Sequence, residues 1–166
     1  MWAKKMYRSN LFSSFAAEGS GILQAIRQEP HLRFHLMAAA FVLYFQRYFA
    51  LERSELALLI LTIALVISAE LVNTAIERTV DLCCPQRNPL AKLAKDAAAG
   101  AVLVNAIASV GIGLFLFWKP QVLRRLMQEI FSSPTRTIVL LIAVVCAGCF
   151  VLFFTDRGTT GKNKDC

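Results

Sequence analysis

Apolar residues run almost unbroken through four stretches of the chain: about Phe34 to Leu51, Leu56 to Ile76, Ala97 to Trp118 and Thr137 to Phe154. Each approaches the roughly 17–25 residues that an α-helix needs to cross the hydrocarbon core of a bilayer. Trp118, Phe153 and Phe154 stand at the ends of these runs, where aromatic rings favour the membrane–water interface. Ahead of the first run the pattern changes. Phe12, Phe15, Ile22 and Ile26 recur at helical spacing between Asn10 and Glu29, with Glu18, Gln24 and Arg27 elsewhere on the wheel. This predicts an amphipathic helix lying on the membrane surface, ended by Pro30 before the first span. Lys119 to Pro134 reads as a short basic amphipathic connector, and Thr155 to Cys166 as a polar, disordered tail. The predicted fold is all-α. It is an integral membrane helical bundle with an amphipathic amino-terminal surface helix, three core transmembrane helices and a fourth near the carboxyl terminus.

The second apolar run ends in a polar stripe. In E-L-V-N-T-A-I-E-R-T-V-D, Glu70, Asn73, Glu77 and Asp81 fall at offsets 0, 3, 7 and 11. At about 100° per residue they share one narrow face of a helix. A carboxylate at membrane depth costs on the order of 2.5–3.5 kcal/mol on insertion scales, so such residues mark either a polar seam between helices or a site. After the stripe, Pro85 and Pro89 interrupt regular structure, and Arg87, Lys92 and Lys95 add positive charge. Asp96 is expected to open the next helix, where an acid complements the helix dipole. The small residues Ala98, Ala99, Gly100 and Ala101 that follow permit close helix–helix approach in lipid.

Composition supports the membrane reading. Hydrophobic residues make up 57% of the 166 and charged residues only 17%, against roughly 25% charged in a soluble domain. The net charge of +7 then points to an anionic lipid surface rather than nucleic acid. With the amino terminus in the cytoplasm, twelve Lys and Arg fall inside and six outside, which favours that orientation. Four of the six, Lys119, Arg124, Arg125 and Arg136, sit together in the connector between the third and fourth runs, against the trend.

Several motifs carry less. The five cysteines are an odd number, and Cys146 and Cys149 lack a second pair of matching spacing, so they read as small apolar filler. G-T-T-G-K-N near the carboxyl terminus lacks the spacing of a phosphate loop. His31 and His35 stand at i, i+4 but lack the motif carboxylate of a metalloprotease, and read as interfacial packing. No cleavable signal peptide is apparent.

In the favoured orientation the stripe descends toward the cytoplasm, with Lys95, Asp96 and Glu29 at similar depth. Several carboxylates, an amide and a lysine thus meet where headgroups meet water. Mg²⁺ prefers carboxylate and phosphate oxygens, a lysine neutralises phosphate charge, and a further carboxylate can take a proton from an attacking hydroxyl. Those parts suffice for phosphoryl transfer. A small ion or proton transporter, and a non-enzymatic assembly protein packing through its Ala/Gly faces, are the alternatives. The first lacks polar stripes in the first and third runs, and the second leaves Glu70 unexplained.

E-L-V-N-T-A-I-E-R-T-V-D followed by A-K-D-A-A-A-G-A-V resembles the bacterial integral-membrane diacylglycerol kinase family, which includes undecaprenol kinases. G-I-L-Q-A-I-R-Q-E-P-H-L-R-F-H-L upstream fits the same family, and the similarity spans about Ser13 to Trp118. The resemblance implies a lipid kinase domain over 1–118, with 119–154 a basic connector and an additional hydrophobic segment, and 155–166 a tail. It also implies a homotrimer in the bacterial cytoplasmic (inner) membrane, three membrane helices per subunit, sites shared between subunits, and ATP and a membrane lipid alcohol as substrates. By the same resemblance Glu70 would be the general base and contact the lipid hydroxyl. Glu29 and Glu77 would hold Mg²⁺, while Glu29, Asn73, Glu77, Lys95 and Asp96 would bind ATP. Arg33 would bind the lipid substrate. Two features depart from the family pattern: Asn88 stands where a histidine often precedes Pro-Leu-Ala, and the fourth hydrophobic segment has no counterpart in a three-helix member. R-F-H-L together with A-K-D-A-A-A-G-A-V leans toward the undecaprenol kinase side.

Overall fold

The computed structural model describes residues 11–153, with side-chain surroundings for 14–152. The expected tail at 155–166, the basic amino-terminal residues and the interfacial ring of Phe154 lie outside the described residues, as do the side chains of Phe12 and Phe153. Within the described residues the chain forms six α-helices and one 3₁₀ turn, with no strand. The helices are α1 (Leu11–Gln28), α2 (Pro30–Phe45), α3 (Arg53–Cys83), α4 (Pro89–Phe117), α5 (Pro120–Phe131) and α6 (Pro134–Phe153). The turn, Gln46–Tyr48, extends α2.

Prolines punctuate this order. Pro30, Pro89 and Pro120 each fall at the first positions of a helix, where the missing N–H is not needed. Pro30 also forces Glu29 out of helical geometry, to φ −104° and ψ 107°, which separates α1 from α2. Pro89 does not interrupt structure as expected but begins α4. Asn88 caps that helix, its side-chain oxygen accepting from the Leu90 N–H at 2.8 Å. The linker therefore shrinks to residues 84–88, and Lys92, Lys95 and Asp96 ride on a helix. The expectation that Asp96 opens the helix is corrected: α4 starts seven residues earlier. The departure at Asn88 thus has a structural use.

Three of the helices, α3, α4 and Pro134–Leu152 of α6, are long and apolar enough to cross a membrane. The first predicted span is shorter. α2 has 16 residues, about 24 Å of helix against a core of roughly 30 Å. α3 is longer than its apolar run, with 31 residues in one helix, about 46 Å. Its last turns therefore project beyond the hydrocarbon and carry the polar stripe toward the interface. The turn after α2 places Ala50 at φ 46°, in the left-handed region that favours glycine.

α3 is the spine of the bundle. Leu59, Thr62, Val66, Glu70 and Thr74 form its buried face, at spacings of three and four. α4 packs along α3 as an antiparallel hairpin, α2 packs against both α3 and α6, and α5 folds back on the start of α6. At one end of the bundle the rings of Phe49 and Phe117 meet edge to face at 4.9 Å, and Lys119 Nζ donates to the Phe49 carbonyl at 3.0 Å. At the other end lie the α1–α2 junction, the last turns of α3, the first turns of α4 and the end of α6. The basic connector is realised as α5, whose Val122, Leu126 and Ile130 are half-buried while Arg124 and Arg125 are exposed.

Candidate active site

The buried face of α3 and its polar stripe meet at Glu70. Its side chain is 6% exposed, and Oε1 lies 3.1 Å from His35 Nε2 on α2. His35 is thus part of the site, although its spacing with His31 reads as packing in the sequence. The signal available was its depth: it is a polar residue inside an apolar run, level with Glu70 on a neighbouring helix. His31, by contrast, is exposed.

One turn further along α3, Asn73 Nδ2 donates to Glu77 Oε1 at 3.0 Å. The amide oxygen of Asn73 is buried and has no hydrogen-bond partner. A buried acceptor left unpaired costs roughly 1–3 kcal/mol, so its presence beside two carboxylates favours a ligand that can satisfy it. Arg78 follows Glu77 and reaches the α1–α2 junction. Its Nη2 donates to Gln28 Oε1 at 2.6 Å and lies 3.4 Å from Glu29 Oε1. That contact brings Glu29, remote in sequence, to the end of the stripe.

The stripe closes on α4. Lys95 Nζ pairs with both carboxylate oxygens of Asp81, at 2.9 and 3.1 Å. Asp81 remains 67% exposed, so it is solvated as well as paired across the α3–α4 hairpin. Asp96 does not share that contact; it accepts from Lys92 Nζ at 2.8 Å, one turn back on the exposed side of α4. Lys95 and Asp96 thus flank the mouth on different faces, and only Lys95 bonds to the stripe.

Arg33 is buried, 1% exposed. Nε and Nη2 donate to the Val151 carbonyl at 3.1 and 2.9 Å, and Nη1 to the carbonyls of Ile26 and Arg27 at 3.0 and 2.9 Å. These are carbonyls of the last turns of α6 and α1, which lack partners within their own helices. One guanidinium thus closes the ends of two helices and pins both to α2. Among the described residues no group of three or more His, Cys, Asp and Glu side chains converges as a ready-made metal cage.

A multi-pass helical membrane protein with a buried carboxylate and an acidic, basic and amide rim at one end is the class that this geometry defines. Residues 16–117 match the family described as prokaryotic diacylglycerol kinase, and the chain belongs to that family. Among similar proteins, an undecaprenol kinase of Bacillus subtilis is 46% identical over 109 residues, 66% of this chain and 89% of that protein. A diacylglycerol kinase of Synechocystis is 41% identical over 112 residues, covering 67% of this chain and 64% of the relative. One from Helicobacter pylori is 35% identical over 97 residues, 58% of this chain and 76% of that protein. No solved structure matches. The chain is a lipid kinase, and this displaces the transporter and assembly readings. The family match ends at residue 117, so α5 and α6 lie beyond it.

Proposed function

We propose that the enzyme transfers the terminal phosphoryl group of ATP, with Mg²⁺, to the hydroxyl of undecaprenol or diacylglycerol, and that Glu70 is the general base. The observation that carries this reading is the buried Glu70 carboxylate, with His35 Nε2 3.1 Å from its Oε1. The lipid hydroxyl attacks phosphorus, its proton passes to Glu70, and the bond from phosphorus to the bridging oxygen breaks to release ADP. Positioning and charge neutralisation supply most of the rate in such a transfer, and a well-placed base adds about 10²–10⁴-fold. The similarity to an undecaprenol kinase over 89% of its length makes undecaprenol the first alcohol to test.

Glu29 and Glu77 are the proposed holders of the cation. Mg²⁺ usually takes one or two protein carboxylates and fills its shell with phosphate oxygens and water, so a cage of three side chains is not required. The donor set fits: Glu77 stands beside the unpaired amide oxygen of Asn73, and Glu29 approaches the same end through Arg78. When bound, the cation would offset the charge of the phosphates. Lys95 and Asp96 are the proposed nucleotide contacts on α4, with Glu29, Asn73 and Glu77 opposite them. Arg33 is proposed to shape the lipid's path to Glu70 by fixing α1 and α6 around α2.

ATP is cytoplasmic, so this reading puts the Glu29–Lys95 end and the amino terminus on the cytoplasmic side of the inner membrane. The excess of basic residues at that end supports it. A homotrimer with shared sites is proposed from the family resemblance; α4 leaves Leu103, Val104, Ile107, Val110 and Leu114 exposed along one side, a face that lipid or a neighbouring subunit would cover. The test is direct. Purified enzyme with Mg-ATP should phosphorylate at least one of the two lipids, and Glu70→Gln should lower turnover by about 10²–10⁴-fold with assembly intact. Normal turnover in that variant refutes the base assignment. Inactivity of the wild type toward both lipids refutes the choice of substrates.

A further inference from the structure

α2 is contacted on two sides, and beyond Arg33 its second side carries none of the proposed site residues. His35 faces α3, whereas Arg33, Met37, Phe41, Tyr44 and Tyr48 follow one another at helical spacing toward α6. Where α5 folds back onto the first turns of α6, this side of α2 does not close against them. A cavity of about 700 Å³ remains, walled by Met37, Phe41, Ile130, Val139 and Leu140. Its size falls within the roughly 300–1,000 Å³ of pockets that hold discrete small molecules. It lies toward the end of the bundle away from the Glu29–Lys95 rim, and more than half of its wall comes from α5 and α6, outside the family match.

The rim of the cavity is polar, with one cation among the lining residues and a second, Arg47, stacked on them from outside. Arg136, Glu129, Tyr44 and Tyr48 line it. The Arg47 guanidinium stacks 3.8 Å from the centre of the Tyr44 ring, with Nη2 3.4 Å from the Tyr48 hydroxyl. Arg136 uses one nitrogen on the Glu129 main-chain carbonyl at 3.3 Å, which fixes the side chain without neutralising it. From Lys119 to Arg136 four basic residues face a single acid, Glu129. α5 itself is an amphipathic helix with exposed arginines, the form that lies in the headgroup layer. An apolar chamber at membrane depth under a cationic rim at headgroup depth matches one kind of molecule.

We propose that this cavity binds one anionic phospholipid, with acyl chain between α2 and α6 and phosphate at Arg136 and Arg47. Guanidinium groups suit this role because they pair with phosphate in a planar, two-point geometry. The basic connector that runs against the positive-inside trend then has a partner in the outer leaflet. The cavity is separate from the Glu70 carboxylate, since His35 and Glu70 lie on the α3 side of α2; of the proposed substrate residues only Arg33 shares the α6 side, before the cavity begins at Met37.

The test uses the full-length protein in a non-ionic detergent, titrated with phosphatidylglycerol or with phosphatidylcholine of the same chains and read by native mass spectrometry. One phosphatidylglycerol per subunit should be retained where phosphatidylcholine is not. Arg136→Gln should reduce that retention roughly ten-fold, as expected for losing one charge-assisted contact. Ala143→Trp, which fills the cavity from α6, should abolish it. Arg136 is exposed, so its variant reports on binding even if the tryptophan variant fails to fold. Equal retention of both lipids, or phosphatidylglycerol binding unchanged by Arg136→Gln, overturns the proposal. So does retention of undecaprenol in its place, or a second copy that cross-links through α5 and α6 and excludes lipid.

Discussion

Replacing Arg33 by methionine should loosen both α1 and α6 from the kinase bundle. Methionine keeps most of the buried volume but removes every donor, so the loss is mainly one of hydrogen bonds. Three carbonyls, of Ile26, Arg27 and Val151, lose a charged donor. A hydrogen bond to a charged group is worth about 1.5–3 kcal/mol. The contributions do not simply add: Ile26 and Arg27 share one nitrogen, and the last turn of α6 can shift toward water. We expect a loss of about 3–5 kcal/mol, somewhat less than the sum of three such bonds. A cycle with a chain truncated before Pro134 isolates the part belonging to α6. Without α6 there is no Val151 carbonyl to lose, so the substitution should cost about 1.5–3 kcal/mol less than in the full chain. Unfolding in mixed micelles of a mild and a denaturing detergent measures both. If the two backgrounds lose the same stability to within about 0.5 kcal/mol, Arg33 does not hold α6 and the clamp is wrong.

His35→Ala should slow lipid phosphorylation about ten-fold with little change in the KM for ATP, since it removes the imidazole that packs 3.1 Å from the proposed base. Combined with Glu70→Gln it should add almost nothing further; full additivity of the two losses in steady-state kinetics argues against a joint role. Ala50→Gly should stabilise the protein by about 1 kcal/mol, because it relieves the left-handed backbone at φ 46°. An unchanged or lowered unfolding midpoint in the same micelles counts against strain at that turn.

Much of the bundle was legible because periodicity and hydropathy act locally. The amphipathic α1, the break at Pro30, the apolar runs of α3, α4 and α6 and the basic α5 all follow from residues close in sequence. The helix ends were less legible. Lys92 and Lys95 read as loop residues because the apolar pattern begins only near Ala97, yet Asn88 and Pro89 start the helix sooner. Capping chemistry outweighed hydropathy there, as exposed polar residues continue a helix easily where it projects beyond the hydrocarbon.

The site divides in the same way. Offsets of 0, 3, 7 and 11 put Glu70, Asn73, Glu77 and Asp81 on one face of a helix, and helix geometry alone guarantees that. Sequence by itself therefore determined an all-helical membrane protein with a carboxylate stripe too costly to be idle. Which groups meet that stripe was a tertiary matter. His35 reaches Glu70, Arg78 reaches Glu29, and Lys95 rather than Asp96 takes Asp81. Arg33 turns inward to the ends of α1 and α6, 118 residues away in the second case. Each of these pairings depends on how separate helices are rotated and set in depth against one another. A sequence fixes the face of each helix, but only packing decides which faces touch.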